Sequence, residues 1–433
     1  MTRVRTTRVL ALLLAAAAPV FADSFEAPAP ADAAARLAAR AKGPNYEVLS
    51  PVTSDGFLDT YRVRSDFGEW EIEGGAMLAI RLKEVEALKE LSELSKTKVF
   101  TDAVAEGVKR ATVGQIETLE AFAEKPVETI KGVPQGVKRA WKKYTGAANE
   151  AWSEVKESRS GEGEGGAGKG TTDKAVDAGK KYAGKYLGTS AAERRWAQKL
   201  GVDPYSSNEI MMKQIKSVAK VDAAGRFGVR FAGIPSIPGL GYVRDLNQLV
   251  WETDPLELRQ RNEAFFKSIG TKPEALARFL DNSALSPTLQ TLITELVKQL
   301  DGVADRWRFV EQAGAIDAES EAWAFVGGLR LLIESHRTRQ PLAKALAGGA
   351  APAAQARGGA ALAGVAIDRL FWTEELAAGL ERFAKVAPGA KLEVVLAGEP
   401  TPRTREELAR HAVALVEGLS PKAAAEKAPA AKR

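Results

Sequence analysis

Tyr46-Glu-Val-Leu-Ser50, Phe57-Leu-Asp-Thr-Tyr-Arg-Val-Arg64 and Glu69-Trp-Glu-Ile-Glu73, followed by Met77 to Ser95, decide the fold of the first organised unit. The three short segments alternate apolar and polar side chains, the period of strands with one face on a core. Asp55-Gly56 and Asp66-Phe67-Gly68 supply turn chemistry between them, which predicts a three-stranded meander. At Met77 the period changes to three and four. Leu78, Leu82, Val85, Leu88 and Leu91 share one side, while Arg81, Lys83, Glu84, Glu86, Lys89 and Glu90 fall elsewhere. This predicts an amphipathic helix packed on the small sheet.

Upstream, an Arg-bearing start, an apolar run from Val9 to Ala18 and the small-residue site Val20-Phe21-Ala22 read as a signal peptide over residues 1–22. The run is short for a membrane span, which needs about 20 apolar residues, so export is expected, to the periplasm if the source is Gram-negative. Residues 23–43, rich in Ala and Pro, read as a flexible or loosely helical lead-in to the meander and helix at 44–98.

Downstream, residues 99–156 are polar, rich in Ala, Gly, Lys and Glu, and read as a helical arm. Gly107-Val-Lys-Arg-Ala111 recurs as Gly136-Val-Lys-Arg-Ala140, but two copies of five residues do not make a solenoid. Residues 157–172 are almost free of apolar side chains and read as a linker. Within it, Gly163-Glu-Gly-Gly-Ala-Gly-Lys-Gly-Thr171 resembles the phosphate-binding loop of the adenylate kinase family. Such a loop works only between a buried strand and a helix N-terminus, and Val155 to Gly163 is no buried strand. The segment is therefore read as linker, and no nucleotide or other cofactor is expected.

From 173 to 347 the pattern is helical. Ser206 with Glu209, Thr271 with Glu274 and Thr404 with Glu407 have capping-box spacing, while Asp254-Pro255 and Ser286-Pro287 place Pro at a first helical position. The run from Trp323 to Ile333 is apolar on several sides, as in a helix buried in a bundle. Gly225 to Gly241 reads as one strand or a hydrophobic loop. A low-complexity loop over 348–360 leads into Ala361 to Ile367 and Leu392 to Ala397, β-rich runs each followed by a helical pattern, at Glu374 to Val386 and Arg405 to Leu419. That order predicts a βαβα element over 361–420, with a disordered tail at 421–433. The expected class is α+β, predominantly α-helical: an N-terminal meander plus helix, a helical main domain and the C-terminal βαβα element. The 433 residues allow about two or three domains.

Composition removes whole classes of chemistry. With Cys 0, thiolate metal sites, disulfides and cysteine nucleophiles are excluded, and His336 and His411 are the only imidazoles. The net charge of +5 falls to +2 without Arg3, Arg5 and Arg8, so no nucleic-acid partner is expected. Glu334 and His336, at the end of the apolar helix, are the candidate catalytic residues: Glu334 as an acid acting on a glycan, or His336 as a base for a serine. A histidine in a last helical turn also interacts favourably with the helix dipole. His411 reads as a solvated surface residue. Glu69, Glu71 and Glu73 share one strand face and could hold a hard cation such as calcium, but strand neighbours are far apart for one ion, so a solvated face is the reading and no metal is expected.

Lys131, Lys138, Arg139, Lys142 and Lys143 interleave with Val133, Val137, Trp141 and Tyr144 at helical spacing, without an acidic residue between them. Such a helix suits peripheral association with an anionic envelope surface. The expected function is that of an exported, non-enzymatic envelope protein binding another protein or an envelope component. The alternative is a cell-wall hydrolase or lyase using a carboxylate such as Glu334. A pocket containing a carboxylate of strongly raised pKa beside Glu334 would favour the enzyme; a broad apolar groove without titratable residues would favour the binder.

Overall fold

A computed structural model describes residues 25–98, 100, 102, 186, 188–222, 236–241, 243, 245–347 and 349–419. The expected signal peptide, the Gly-Val-Lys-Arg-Ala repeat, the basic segment 131–144, the linker with its glycine-rich loop, and the tail lie outside these residues. Among the described residues the fold is α+β and mainly helical, with two sheets. No described helix is long and apolar enough to cross a membrane.

The N-terminal sheet is the expected meander with one short strand added. Strands β1 (Lys42–Gly43), β2 (Tyr46–Ser54), β3 (Asp59–Ser65) and β4 (Gly68–Glu73) pair antiparallel in sequence order. The Asp55 carboxylate accepts the Phe57 and Leu58 N–H groups at 2.8 Å each and so closes the first turn. Ahead of the sheet, α1 (Ala33–Leu37) is capped by Asp32, which accepts the Ala34 and Ala35 N–H groups. The lead-in is thus not loose from Phe25 onward. Trp372 donates its N–H to Glu26 Oε2 at 2.6 Å, and Ala31 pairs with Val52.

Helix α2 (Gly75–Ser95) covers the meander as expected, but it is buried on a second side as well. Its Arg81 and Glu84, which fall off the leucine side in sequence, form an ion pair inside the protein. Glu84 also accepts from Ser206 Oγ and, at 2.9 Å, from Asn208 Nδ2. The buried charges are therefore hydrogen-bonded, as burial requires.

The helical part comprises α3 (Ala191–Leu200), α4 (Glu209–Val221), α5 (Leu246–Glu252), α6 (Pro255–Ser268), α7 (Pro273–Leu280), α8 (Pro287–Lys298) and α9 (Arg308–Ala313). Asp254 and Ser286 cap α6 and α8 with Pro following, as the sequence indicates. The capping boxes are displaced by a residue or more: Asn208, not Ser206, caps α4, and α7 starts from Lys272 with Pro273 at its first position. Asn208 accepts the Met211 N–H, whereas Lys272 makes no side-chain cap.

The central element is α10 (Glu319–Thr338), which packs on α2 and α8 and lies across the C-terminal sheet. Its crossing of that sheet is set by glycine. A Cβ on Gly328 would overlap the carbonyl oxygen of Gly364, and one on Gly327 would overlap Ala366 Cβ.

The C-terminal sheet has five strands: β5 (Leu342–Ala345), β6 (Ala353–Ala356), β7 (Ala361–Leu370), β8 (Leu392–Pro400) and β9 (Val413–Val416). β5, β6 and β7 are antiparallel neighbours, whereas β7, β8 and β9 run parallel, joined through α11 (Glu374–Val386) and α12 (Pro402–Arg410). This corrects the sequence expectation twice. The stretch 348–360, read as a low-complexity loop, contains β6, whose small side chains fit beneath α10. The helix expected over 405–419 runs only from Pro402 to Arg410, capped by Thr401 rather than Thr404, and Val413 to Val416 then pair with Leu392 to Val395. β-branched and aliphatic residues beside an unpaired parallel edge favour a strand over another helical turn.

Candidate functional site

Two neighbouring features combine accessible space with unusual chemistry. The first is a charged seam joining the N-terminal sheet to the end of β7. Asp59, the first residue of β3, is fully buried and accepts Arg36 Nε at 2.6 Å and Arg369 Nε at 2.7 Å. Arg36 also donates to Glu399 Oε2 at 2.7 Å and to the Asp368 carbonyl at 3.1 Å. Asp368 accepts the Asp59 N–H at 2.8 Å and the Gly75 N–H at 3.0 and 3.1 Å on its two oxygens. A carboxylate thus sits at the first turn of α2, where orphan N–H groups and the helix dipole favour an anion. Burial nevertheless pushes the Asp368 carboxyl up to about 6, against the help of those N–H groups.

Beside the seam is a cleft of about 350 Å³ lined in part by Glu73, Gly75, Gly239, Ser320, Arg330 and Asp368. Glu73 accepts Ser320 Oγ at 2.6 Å, and burial raises its carboxyl above the ordinary value. Arg330 donates to the Gly239 carbonyl. Glu69 and Glu71, on the same strand face as Glu73 but outside the cleft lining, lie opposite Arg64 and Arg62 across β3, with Arg64 Nε 2.7 Å from Glu69 Oε1. The glutamate face is therefore matched by cross-strand cations. Among the described residues no group of three or more His, Cys, Asp or Glu is placed to hold a metal ion.

The second feature is an apolar slot of about 140 Å³ between the C-terminal sheet and α11, which also reaches Ala324 and Phe325 of α10. Strand alternation builds its floor: Ala363 and Val365 of β7, Ala353 of β6 and Val394 of β8 point toward α11, while Leu362 and Val395 join the core under α10. Leu376, Leu380 and Phe383, at i, i+4 and i+7 of α11, form the roof, with Gly379 between them. Phe57 and Leu370 close one end. The void follows from residue size. Alanines on the sheet and a glycine on the helix leave volume that a Leu-rich contact would fill.

Charge appears only at the rim, as Glu375 and Arg382 of α11. Burial holds the Arg382 guanidinium below its usual range, partly offset through space by Glu381. Among the described residues Arg382 has no hydrogen-bond or ion-pair partner. A guanidinium with its donors free, beside an apolar chamber, can bind an anion attached to an apolar body.

The sequence candidates are elsewhere. Glu334 and His336 line neither the slot nor the cleft. His336 Nδ1 accepts the Leu342 N–H at 2.9 Å, and burial, helped by Arg357 and Arg337, holds its pKa below the ordinary value. It is a neutral acceptor closing the turn from α10 into β5, rather than a cation on the helix dipole. His411 is exposed as expected, but its ring stacks on Trp372 at 5.6 Å. Lys131, Lys138, Arg139, Trp141, Lys142, Lys143 and Tyr144 lie outside the described residues. The slot residues were missed in sequence. The available signal was Gly379 and Arg382 on the apolar side of a helix that follows an alanine-rich strand.

The chain matches no family model, no curated protein and no solved structure.

Proposed function

We propose that this chain is an exported, non-enzymatic envelope protein that binds an envelope component in the slot between α11 and the C-terminal sheet. The observation that carries this reading is a half-open slot of about 140 Å³ whose walls are apolar and whose only charged side chains stand at the rim. Pre-formed apolar chambers with a few placed polar groups are the usual form of a small-ligand site. Lys131 to Tyr144 would add reversible attachment to an anionic surface, at about 1 kcal/mol per basic residue.

The hydrolase alternative has one supporting observation, two carboxyls of raised pKa, Glu73 and Asp368, at the same cleft. It is the weaker reading because both oxygens of Asp368 already receive backbone N–H groups and Glu73 is engaged by Ser320.

Toluene, uncharged and of slot size, tests the binding reading. Its saturable binding should raise the thermal unfolding midpoint of the full chain by mass action. Gly379→Leu, which projects a side chain into open space beside Arg382, should remove that increment while remaining folded. An equal increment in both proteins, or none in either, would reject the slot. Release of soluble fragments from cell-wall glycan by wild type, lost in Glu73→Gln, would instead establish the enzyme.

A further inference from the structure

The slot is chemically lopsided: a nearly uncharged chamber with one guanidinium whose donors are unused at its edge. A cavity of about 150 Å³ lined by aliphatic and aromatic side chains holds a benzene-sized body. The slot's volume of about 140 Å³ sets the same limit, roughly a six-carbon ring or branched chain. Anything larger must protrude past the rim. An acyl chain of membrane length, with more than twice as many carbons, would leave most of its length outside.

Rim chemistry then selects the attached group. Arg382 stands on the slot side of α11 with Leu376, Gly379, Leu380 and Phe383. Its planar fork matches a carboxylate in a bidentate arrangement. Glu375 is seven residues away, two helical turns or about 10 Å along the axis. That is about one Debye length at 0.1 M salt, so its repulsion of an anion at Arg382 is weak. Glu381, next to Arg382 in sequence, acts on it through space and forms no ion pair with it among the described residues.

Resting on the binding reading above, we infer that the ligand is a small monocarboxylate with an aromatic or branched apolar body, the body in the slot and the carboxylate on Arg382. Phenylacetate is the matching probe.

Calorimetric titration of the full chain with phenylacetate, the neutral phenylacetamide and the cationic 2-phenylethylamine separates body from charge. Phenylacetate should bind at least about tenfold tighter than phenylacetamide at low salt, with the preference shrinking at 1 M salt. Arg382→Gln should equalise the two while both still bind, and Gly379→Leu should abolish both. Equal affinity of phenylacetate and phenylacetamide in wild type would overturn the carboxylate assignment and leave the slot reading intact. Preference for the amine would assign the rim to Glu375 and overturn it too. Displacement of phenylacetate by palmitate at lower concentration would overturn the size limit. Binding of none of the three would remove both the inference and the reading it rests on.

Discussion

Nε of Arg369, near the end of β7, lies 2.7 Å from Oδ1 of Asp59, the first residue of β3, across 310 positions of sequence. With Arg36 on the other oxygen, the Asp59 carboxylate joins the meander to the C-terminal sheet. The same junction carries the Phe57 carbonyl, which accepts the Asp368 and Arg369 N–H groups and so holds Phe57 at the end of the slot.

Asp59→Asn should therefore be strongly destabilising. Removing one partner of a buried ion pair costs about 3 to 5 kcal/mol, because the remaining charges stay desolvated. Glu399→Gln, which touches the same Arg36 from an exposed position, should cost about 1 kcal/mol or less. Urea denaturation of both variants measures the difference, and similar losses would contradict the assigned role of Asp59.

Stability should fall as pH rises from about 5 to 8. Burial pushes Asp55, Asp203 and Glu321 up to about 7 and Asp368 up to about 6. A carboxyl raised in the folded state binds protons there that the unfolded chain has released, so its contribution is complete below its ordinary value and is lost as pH passes the raised one. His336, lowered chiefly by burial, opposes this below its ordinary value near 6.5. It is one group against four. Unfolding midpoints across this range should decline. Asp203→Asn, which retains an acceptor for Thr288 Oγ1 and the Tyr205 N–H, should flatten the slope. Midpoints rising from pH 5 to 8 would contradict the burial of these carboxyls.

The crossing of α10 over β7 gives a third prediction. Gly328→Ala should destabilise by about 1 to 3 kcal/mol, the usual cost of overpacking, because its Cβ meets backbone of β7 that cannot swing aside. Gly379→Ala, with only Arg382 Nη2 nearby, at 3.8 Å, should be neutral or stabilising by up to about 1 kcal/mol through helix propensity. Chemical denaturation compares the pair.

The basic segment yields a fourth. Reversing Lys138, Arg139, Lys142 and Lys143 to Glu should abolish co-sedimentation with anionic vesicles at low salt and leave the unfolding midpoint unchanged. Equal sedimentation of the two proteins would remove the proposed surface attachment.

The contrast between the two sheets shows what local pattern carries. Asp59 to Ser65 alternates and turn residues separate the strands, so the meander is legible in the sequence, although β2 breaks register between Leu49 and Thr53. Ala353 to Ala356 has neither β-branched residues nor alternation. It becomes a strand because Ala363 and Leu362 pair with it and α10 covers it, which are tertiary facts. The burial of Arg81 and Glu84 is illegible for a similar reason: it depends on Ser206 and Asn208, more than 120 residues away. The slot was least legible, since a void is defined by side chains that are absent. Glu334 and His336 are rare chemistry at a helix end, but nothing in their sequence context shows that they lie outside both the slot and the cleft.

The most direct test of the binding account is methyl NMR of the full chain with labelled Val and Leu, titrated with toluene. The account predicts saturable shifts concentrated on Val365, Leu376, Leu380 and Val394, and their disappearance in Gly379→Leu. Shifts centred instead on Leu58, the labelled residue lining the Glu73 cleft, or no saturable shifts at all, would contradict it.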